Sequence, residues 1–201
     1  VHFVAEEIRR RRVPVRHLQS WDDYDRFRKV PHGVDASWNE HIGRPLSAVP
    51  DPWECHPSWA EHFKQPLRDA LAEMGCEMEE IDQTGMYTSG AYREQILTAV
   101  RRRDEIDAVL GRYRTKKPEP ENDQEAAALA DSVALEEEPE GDALARFPFK
   151  PYCRDCGRDT TTITAYDDET TDLTYECQAC PFVGVTNLAT QNEGKLVWKV
   201  D

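Results

Sequence analysis

The run Ile8-Arg9-Arg10-Arg11-Arg12-Val13-Pro14-Val15-Arg16-His17-Leu18 decides the fold class. Upstream of it, Val1, Val4, Ala5 and Ile8 recur at the spacing of one helical face. The arginines close that helix with a basic last turn, and residues 13–18 read as a short strand. Helix, tight basic turn and buried strand is the grammar of an α/β protein with a parallel sheet, since parallel strands need a crossover and a helix usually supplies it.

The same alternation continues downstream. A loop rich in Pro and Trp fills residues 30–57. Trp59, Phe63, Leu67, Leu71 and Met74 then return at helical spacing, with Ser58 placed to cap the helix and Pro66 expected to kink it or to end its first turns. Residues 77–82 read as a second strand. Tyr92, Ile96, Ala99, Val100, Ile106, Val109, Leu110 and Tyr113 mark the clearest amphipathic helix. From Phe147 onward the pattern turns to β, with runs at 160–166, 173–175, 182–186 and 196–200 separated by the turn clusters Asp167-Asp168-Glu169 and Asn192-Glu193-Gly194. Three units are expected: an α/β segment over 1–115, an acidic insert over 116–146, and a β-rich unit over 147–201.

The acidic insert explains the charge. The chain has 201 residues and a net charge of −14, but residues 118–145 hold ten acidic residues and no basic one. Setting them aside leaves 29 acidic against 25 basic residues, a balance of −4. An anionic partner such as RNA is therefore not excluded. No run approaches the roughly 20 apolar residues of a membrane span. The chain opens without Met and inside a helical pattern, and it is read as an internal piece of a longer protein.

Five of the six cysteines fall in two clusters. Cys153-x-x-Cys156 and Cys177-x-x-Cys180 are twenty residues apart and flank a candidate β-hairpin. Each Cys-x-x-Cys turn aims two sulfurs at one point, so two turns supply the four ligands of a closed structural zinc site, which does no chemistry. Gly157 and Pro181 suit the tight backbone there. Two disulfides or isolated thiols are the alternatives, but disulfides require an oxidising compartment and nothing here suggests export. The second cluster is Asp51, Cys55, His56 and His62. It offers hard and soft ligands within twelve residues, yet histidines beside Trp also cap helices or pack on rings, and spacing alone leaves both readings open. Cys76, beside Met74 and Gly75, reads as a buried thiol at a helix end.

Directly after the first strand comes Trp21-Asp22-Asp23-Tyr24-Asp25-Arg26. Open parallel sheets bind ligands at the carboxyl ends of their strands, so Asp22 and Asp23 are candidate substrate-binding residues for an amino group or a cation. Asp25, Arg26 and Arg28 are expected to pair among themselves.

The stretch from Arg16 through Trp21-Asp22-Asp23-Tyr24-Asp25-Arg26-Phe27-Arg28-Lys29-Val30-Pro31 resembles the signature of class I lysyl-tRNA synthetases. So do Val49-Pro50-Asp51-Pro52-Trp53-Glu54-Cys55-His56, Ala60-Glu61-His62-Phe63 and the closing Lys195-Leu196-Val197-Trp198-Lys199-Val200-Asp201. The resemblance covers nearly the whole chain, with the acidic insert as the main departure. It implies part of a Rossmann-type parallel sheet with an inserted, small, β-rich zinc ribbon. It also implies zinc at two sites, Cys153, Cys156, Cys177 and Cys180 at one and Asp51, Cys55, His56 and His62 at the other. Lysine and ATP, with magnesium, would be substrates of the intact enzyme and tRNA(Lys) its partner, in the cytoplasm, with neither membrane nor DNA involved.

The family's His-x-Gly-His element would lie upstream and its Lys-Met-Ser-Lys-Ser element downstream, so no catalytic residue is assigned and the piece alone is expected to be inactive. His41-Ile42-Gly43-Arg44 is rejected as the first element, because it sits in a loop, runs into Pro45 and ends in Arg. The rival reading is a non-catalytic zinc-ribbon protein that binds RNA or a protein partner.

Overall fold

The computed structural model describes residues 1–113, 143–197 and 200. Most of the acidic insert, up to residue 142, lies outside the described residues, as do Trp198 and Lys199 of the strand expected over 196–200.

The first helix, α1 (His2–Arg10), is followed by β1 (Leu18–Trp21), which pairs in parallel with β2 (Glu79–Asp82). The chain crosses between them through α2 (Trp59–Glu73). The first strand therefore starts five residues later than expected. Pro14 has no N–H to give a ladder and Val13 is half exposed, so pairing begins only where the His17 carbonyl accepts the Glu79 N–H at 2.8 Å. Of the expected apolar face of α1 only Ala5 is buried. The helix α2 runs through Pro66 without a break, and Ser58 caps it by accepting the Glu61 N–H.

After β2 come α3 (Gln83–Thr88), α4 (Arg93–Arg101) and α5 (Arg103–Tyr113). The single long helix expected over 92–113 is thus two. The break falls within the run Arg101-Arg102-Arg103, where the Arg103 guanidinium donates to the Val100 carbonyl at 3.0 Å and pairs with Asp168. That side chain satisfies a helix-end carbonyl and ties it to the β-rich unit.

The β-rich unit contains β3 (Phe149–Pro151), β4 (Thr161–Tyr166), β5 (Asp172–Cys177), β6 (Val183–Asn187) and β7 (Gly194–Leu196). The strands β4, β5 and β6 form an antiparallel meander, while β3 pairs antiparallel with β7. Gly194 opens β7 at φ +145°, and a Cβ there would lie 2.6 Å from the Lys150 carbonyl oxygen, so no larger residue fits.

The helical part and the β-rich part bury one continuous core. Tyr24, Tyr87, Ile96 and Val100 pack with Phe149, Tyr152, Leu173 and Leu196. The Tyr24 ring lies 5.4 Å from Tyr87 and 5.0 Å from Tyr152, and the Tyr152 hydroxyl donates to the Tyr24 carbonyl at 2.6 Å. The Pro- and Trp-rich loop has a small core of its own, Phe27, Val49 and Trp59. His41-Ile42-Gly43-Arg44 belongs to this loop, and the Gly43 carbonyl accepts the Asp159 N–H at 2.8 Å, docking the β-rich unit. Among the described residues no helix is long and apolar enough to cross a membrane.

Candidate functional site

Among the described residues, two metal-ligand clusters and a cavity at the ends of the parallel strands gather the candidate functional side chains. The first cluster joins the chain after β3 to the end of β5. Each Cys-x-x-Cys turn is folded back by backbone bonds: the Gly157 N–H donates to the Cys153 carbonyl, and the Cys177 N–H to the Phe182 carbonyl. Gly157 takes φ +72°, as a tight turn of this kind favours.

The Sγ atoms of Cys153 and Cys180 lie 3.7 Å apart, and those of Cys156 and Cys177 3.6 Å apart. All four ligand atoms lie within 4.8 Å of one another. Four sulfurs at ~2.3 Å from one zinc sit about 3.8 Å apart, whereas a disulfide brings two to ~2.05 Å. The cysteines are unbridged. Burial raises the Cys177 thiol, but the Ala179 N–H and the neighbouring Cys180 groups outweigh it and bring the thiol down to about 7. At Cys180 the Phe182 amide favours the thiolate, but burial and the other three sulfurs push the thiol up to about 12. Four crowded sulfurs cannot all be anionic unless a cation lies between them.

The second cluster lies between the Pro- and Trp-rich loop and the first turns of α2. The Asp51 carboxylate is fully buried and accepts the N–H groups of Trp53, Cys55 and His56 at 3.1, 3.0 and 2.8 Å. Burial opposes its charge, yet these donors and the Cys55 thiol hold it well below the usual carboxylate range. Glu54 adopts φ +57°, a strained conformation for that residue, and turns the chain back so that Cys55 and His56 face the aspartate. His62 approaches from α2, with Nδ1 3.3 Å from both Asp51 Oδ2 and Cys55 Sγ. His56 Nδ1 is 3.1 Å from that sulfur. These edges suit a mixed oxygen, sulfur and nitrogen set around one zinc at ~2.0–2.3 Å. Trp53 stacks on His62 with ring centroids 4.3 Å apart and fixes its plane.

The cavity lies where the parallel strands end. Asp22 follows β1 and Gln83 follows β2, and both line a space of about 450 Å³ together with Asp25, Tyr87, Tyr92 and Gln95. The acidic pair is split. Asp22 lines the cavity, but Asp23 is buried and turned into the α2 interface, with Oδ2 2.8 Å from Lys64 Nζ and Oδ1 accepting the Thr84 N–H at 2.9 Å. The pairing expected within Asp25, Arg26 and Arg28 is also revised. Asp25 pairs with Lys195, and Arg26 approaches Asp159 at 3.5 Å, both on the β-rich unit.

The pairings of Lys64 with Asp23 and of Asp25 with Lys195 are not visible in the sequence pattern. Lys64 left one signal, a cation on the same helical face as Ala60. Asp25 and Lys195 are 170 positions apart, and nothing local reveals their contact. Cys76 is partly exposed rather than buried.

A family model described as tRNA synthetases class I (K) matches residues 1–201. A lysine–tRNA ligase of Streptomyces coelicolor is 54% identical over 211 aligned residues, covering 100% of this chain and 36% of that protein. Lysine–tRNA ligases of Thermococcus kodakarensis and Treponema pallidum are 34% and 30% identical, each over 100% of this chain and 34% of the relative. The chain spans about a third of the length of these curated relatives. With its whole described sequence matched in order, the chain belongs to the class I (K) family of tRNA synthetases.

Proposed function

We propose that this chain is part of a lysine–tRNA ligase that activates lysine with ATP as lysyl-adenylate and transfers the lysyl group to tRNA(Lys). The observation that carries this reading is the match to lysine–tRNA ligases along 100% of the chain. Within the whole enzyme, residues 1–115 supply part of the nucleotide-binding sheet and residues 147–201 form a zinc-ribbon insertion, with the acidic insert between them. The cavity beyond β1 and β2 is the substrate side, in keeping with ligands binding at the carboxyl ends of parallel strands. Lysine carries two ammonium groups, and a buried cation needs a carboxylate partner. Asp22 would orient one of them, and Asp23, bonded to Lys64 and the Thr84 N–H, would hold the turn from behind.

The residues of both clusters fit zinc by their spacing and donor types. Cys153, Cys156, Cys177 and Cys180 would hold one ion with no open position, and Asp51, Cys55, His56 and His62 a second. When bound, these ions supply structural cross-links and no step of the reaction. ATP with magnesium would be the co-substrate of lysine in the intact enzyme.

The test is lysine-dependent ATP–pyrophosphate exchange. The full-length protein is expected to show it, and residues 1–201 alone are not. No exchange by the full-length protein, with RNA or a protein bound instead, would favour a non-catalytic zinc-ribbon protein.

A further inference from the structure

Lys64 is the one buried lysine on α2, and its ammonium is enclosed by two carboxylates, Asp23 Oδ2 at 2.8 Å and Glu61 Oε1 at 3.0 Å. A cation taken out of water is costly unless its partners are fixed, so this pair holds only while α2 and the turn after β1 keep their spacing. On the turn side the hold extends to the cavity wall. The second oxygen of Asp23 accepts the Thr84 N–H at the start of α3, the helix that carries the cavity residues Gln83 and Tyr87. The Asp23 and Asp25 carbonyls accept the N–H groups of Ser47 and Leu46 at 3.0 and 2.8 Å, and Asp22 directly precedes this anchored turn in sequence.

On the helix side, Lys64 is two residues from His62, and the turn that carries both is placed by the Asp51 cluster. There the Trp59 N–H donates to the Val49 carbonyl, and His62 meets Asp51 and Cys55. A chain of fixed contacts thus runs from that cluster through α2 and Lys64 to the wall that carries Asp22.

We infer that Lys64 is a positioning residue that couples metal retention at the Asp51, Cys55, His56 and His62 centre to lysine binding in the Asp22 cavity. The inference rests on the reading of that cluster as a zinc centre and of the cavity as the lysine site. Coupling of two binding equilibria is reciprocal: if the metal steadies the cavity wall, lysine must steady the metal by the same factor.

The experiment follows zinc release from the full-length protein to a chromogenic chelator, with and without saturating lysine. Two release phases are expected, the slower from the four cysteines. Lysine should slow the faster phase about tenfold, within the usual range for linked sites, and leave the slower one unchanged. In Lys64→Met that protection should be lost while lysine, measured by calorimetry, still binds. The Lys64→Met variant leaves Asp23 buried without its partner and is liable to misfold. The double variant Lys64→Met/Asp23→Asn removes both charges and should lose the protection as well. The coupling is overturned if lysine binds the wild type yet leaves its faster phase unchanged, or if either variant keeps the full protection. A single zinc per chain in the wild type would instead overturn the metal reading, and lysine that does not bind at all would overturn the cavity reading, each taking the coupling with it.

Discussion

The two ligand clusters are built on opposite plans. The four cysteines arrive in two short turns whose backbone bonds close locally, so the sequence spacing itself fixes the geometry. The Asp51 cluster is assembled from a loop with a strained Glu54, a buried carboxylate held by three amides, and a histidine that only helix formation brings near. The first is sulfur throughout and sits among strands whose core is shared with the helical part. The second is mixed, its cysteine is exposed, and it borders the charged network that leads to the cavity. A site whose ligands come from local turns is independent of the rest of the fold, whereas one gathered across a loop and a helix is sensitive to it.

The largest effect should come from the first cluster. A small β unit cannot bury enough apolar surface to fold firmly by itself, and structural zinc binding is worth ~10–16 kcal/mol in small metal-dependent folds. Cys177→Ser in the full-length protein should therefore remove one zinc and expose residues 147–201 to protease, with cleavage sites identified by mass spectrometry. If the cleavage pattern stays that of the wild type, the shared core with Tyr24 and Tyr87 is enough to hold the unit and the contrast between the clusters is weaker than drawn.

A smaller effect is expected on the cavity side. Asp22→Asn should lower kcat/KM for lysine about tenfold, the equivalent of ~1.4 kcal/mol, with thermal stability unchanged because Asp22 is exposed. Lost stability with wild-type kinetics would assign the turn to scaffolding throughout.

Legibility followed the same division. The meander and the spacing of Cys153, Cys156, Cys177 and Cys180 were readable because alternation and turn residues act over a few positions. The Asp51 cluster was only half readable, since its residue types fit a metal but nothing in the spacing shows that Glu54 reverses the chain. The late start of β1 was misjudged because Val13 and Val15 look strand-like, while the missing N–H of Pro14 and the reach of β2 decide where pairing starts. The break at Arg102 was hidden because apolar spacing continues across it, and the arginine that follows it bonds a residue 65 positions away. The division of Asp22 from Asp23 was likewise out of reach, because it depends on Lys64, 41 positions downstream of Asp23.

Zinc analysis of the full-length protein, paired with X-ray absorption at the zinc edge, tests the central contrast most directly. Two zincs per chain are predicted, one with four sulfurs and one with a single sulfur beside oxygen and nitrogen, giving an average near ~2.5 sulfurs per zinc at ~2.3 Å. One zinc per chain with four sulfurs would contradict it, and the Asp51 cluster would then be a hydrogen-bonded loop and nothing more.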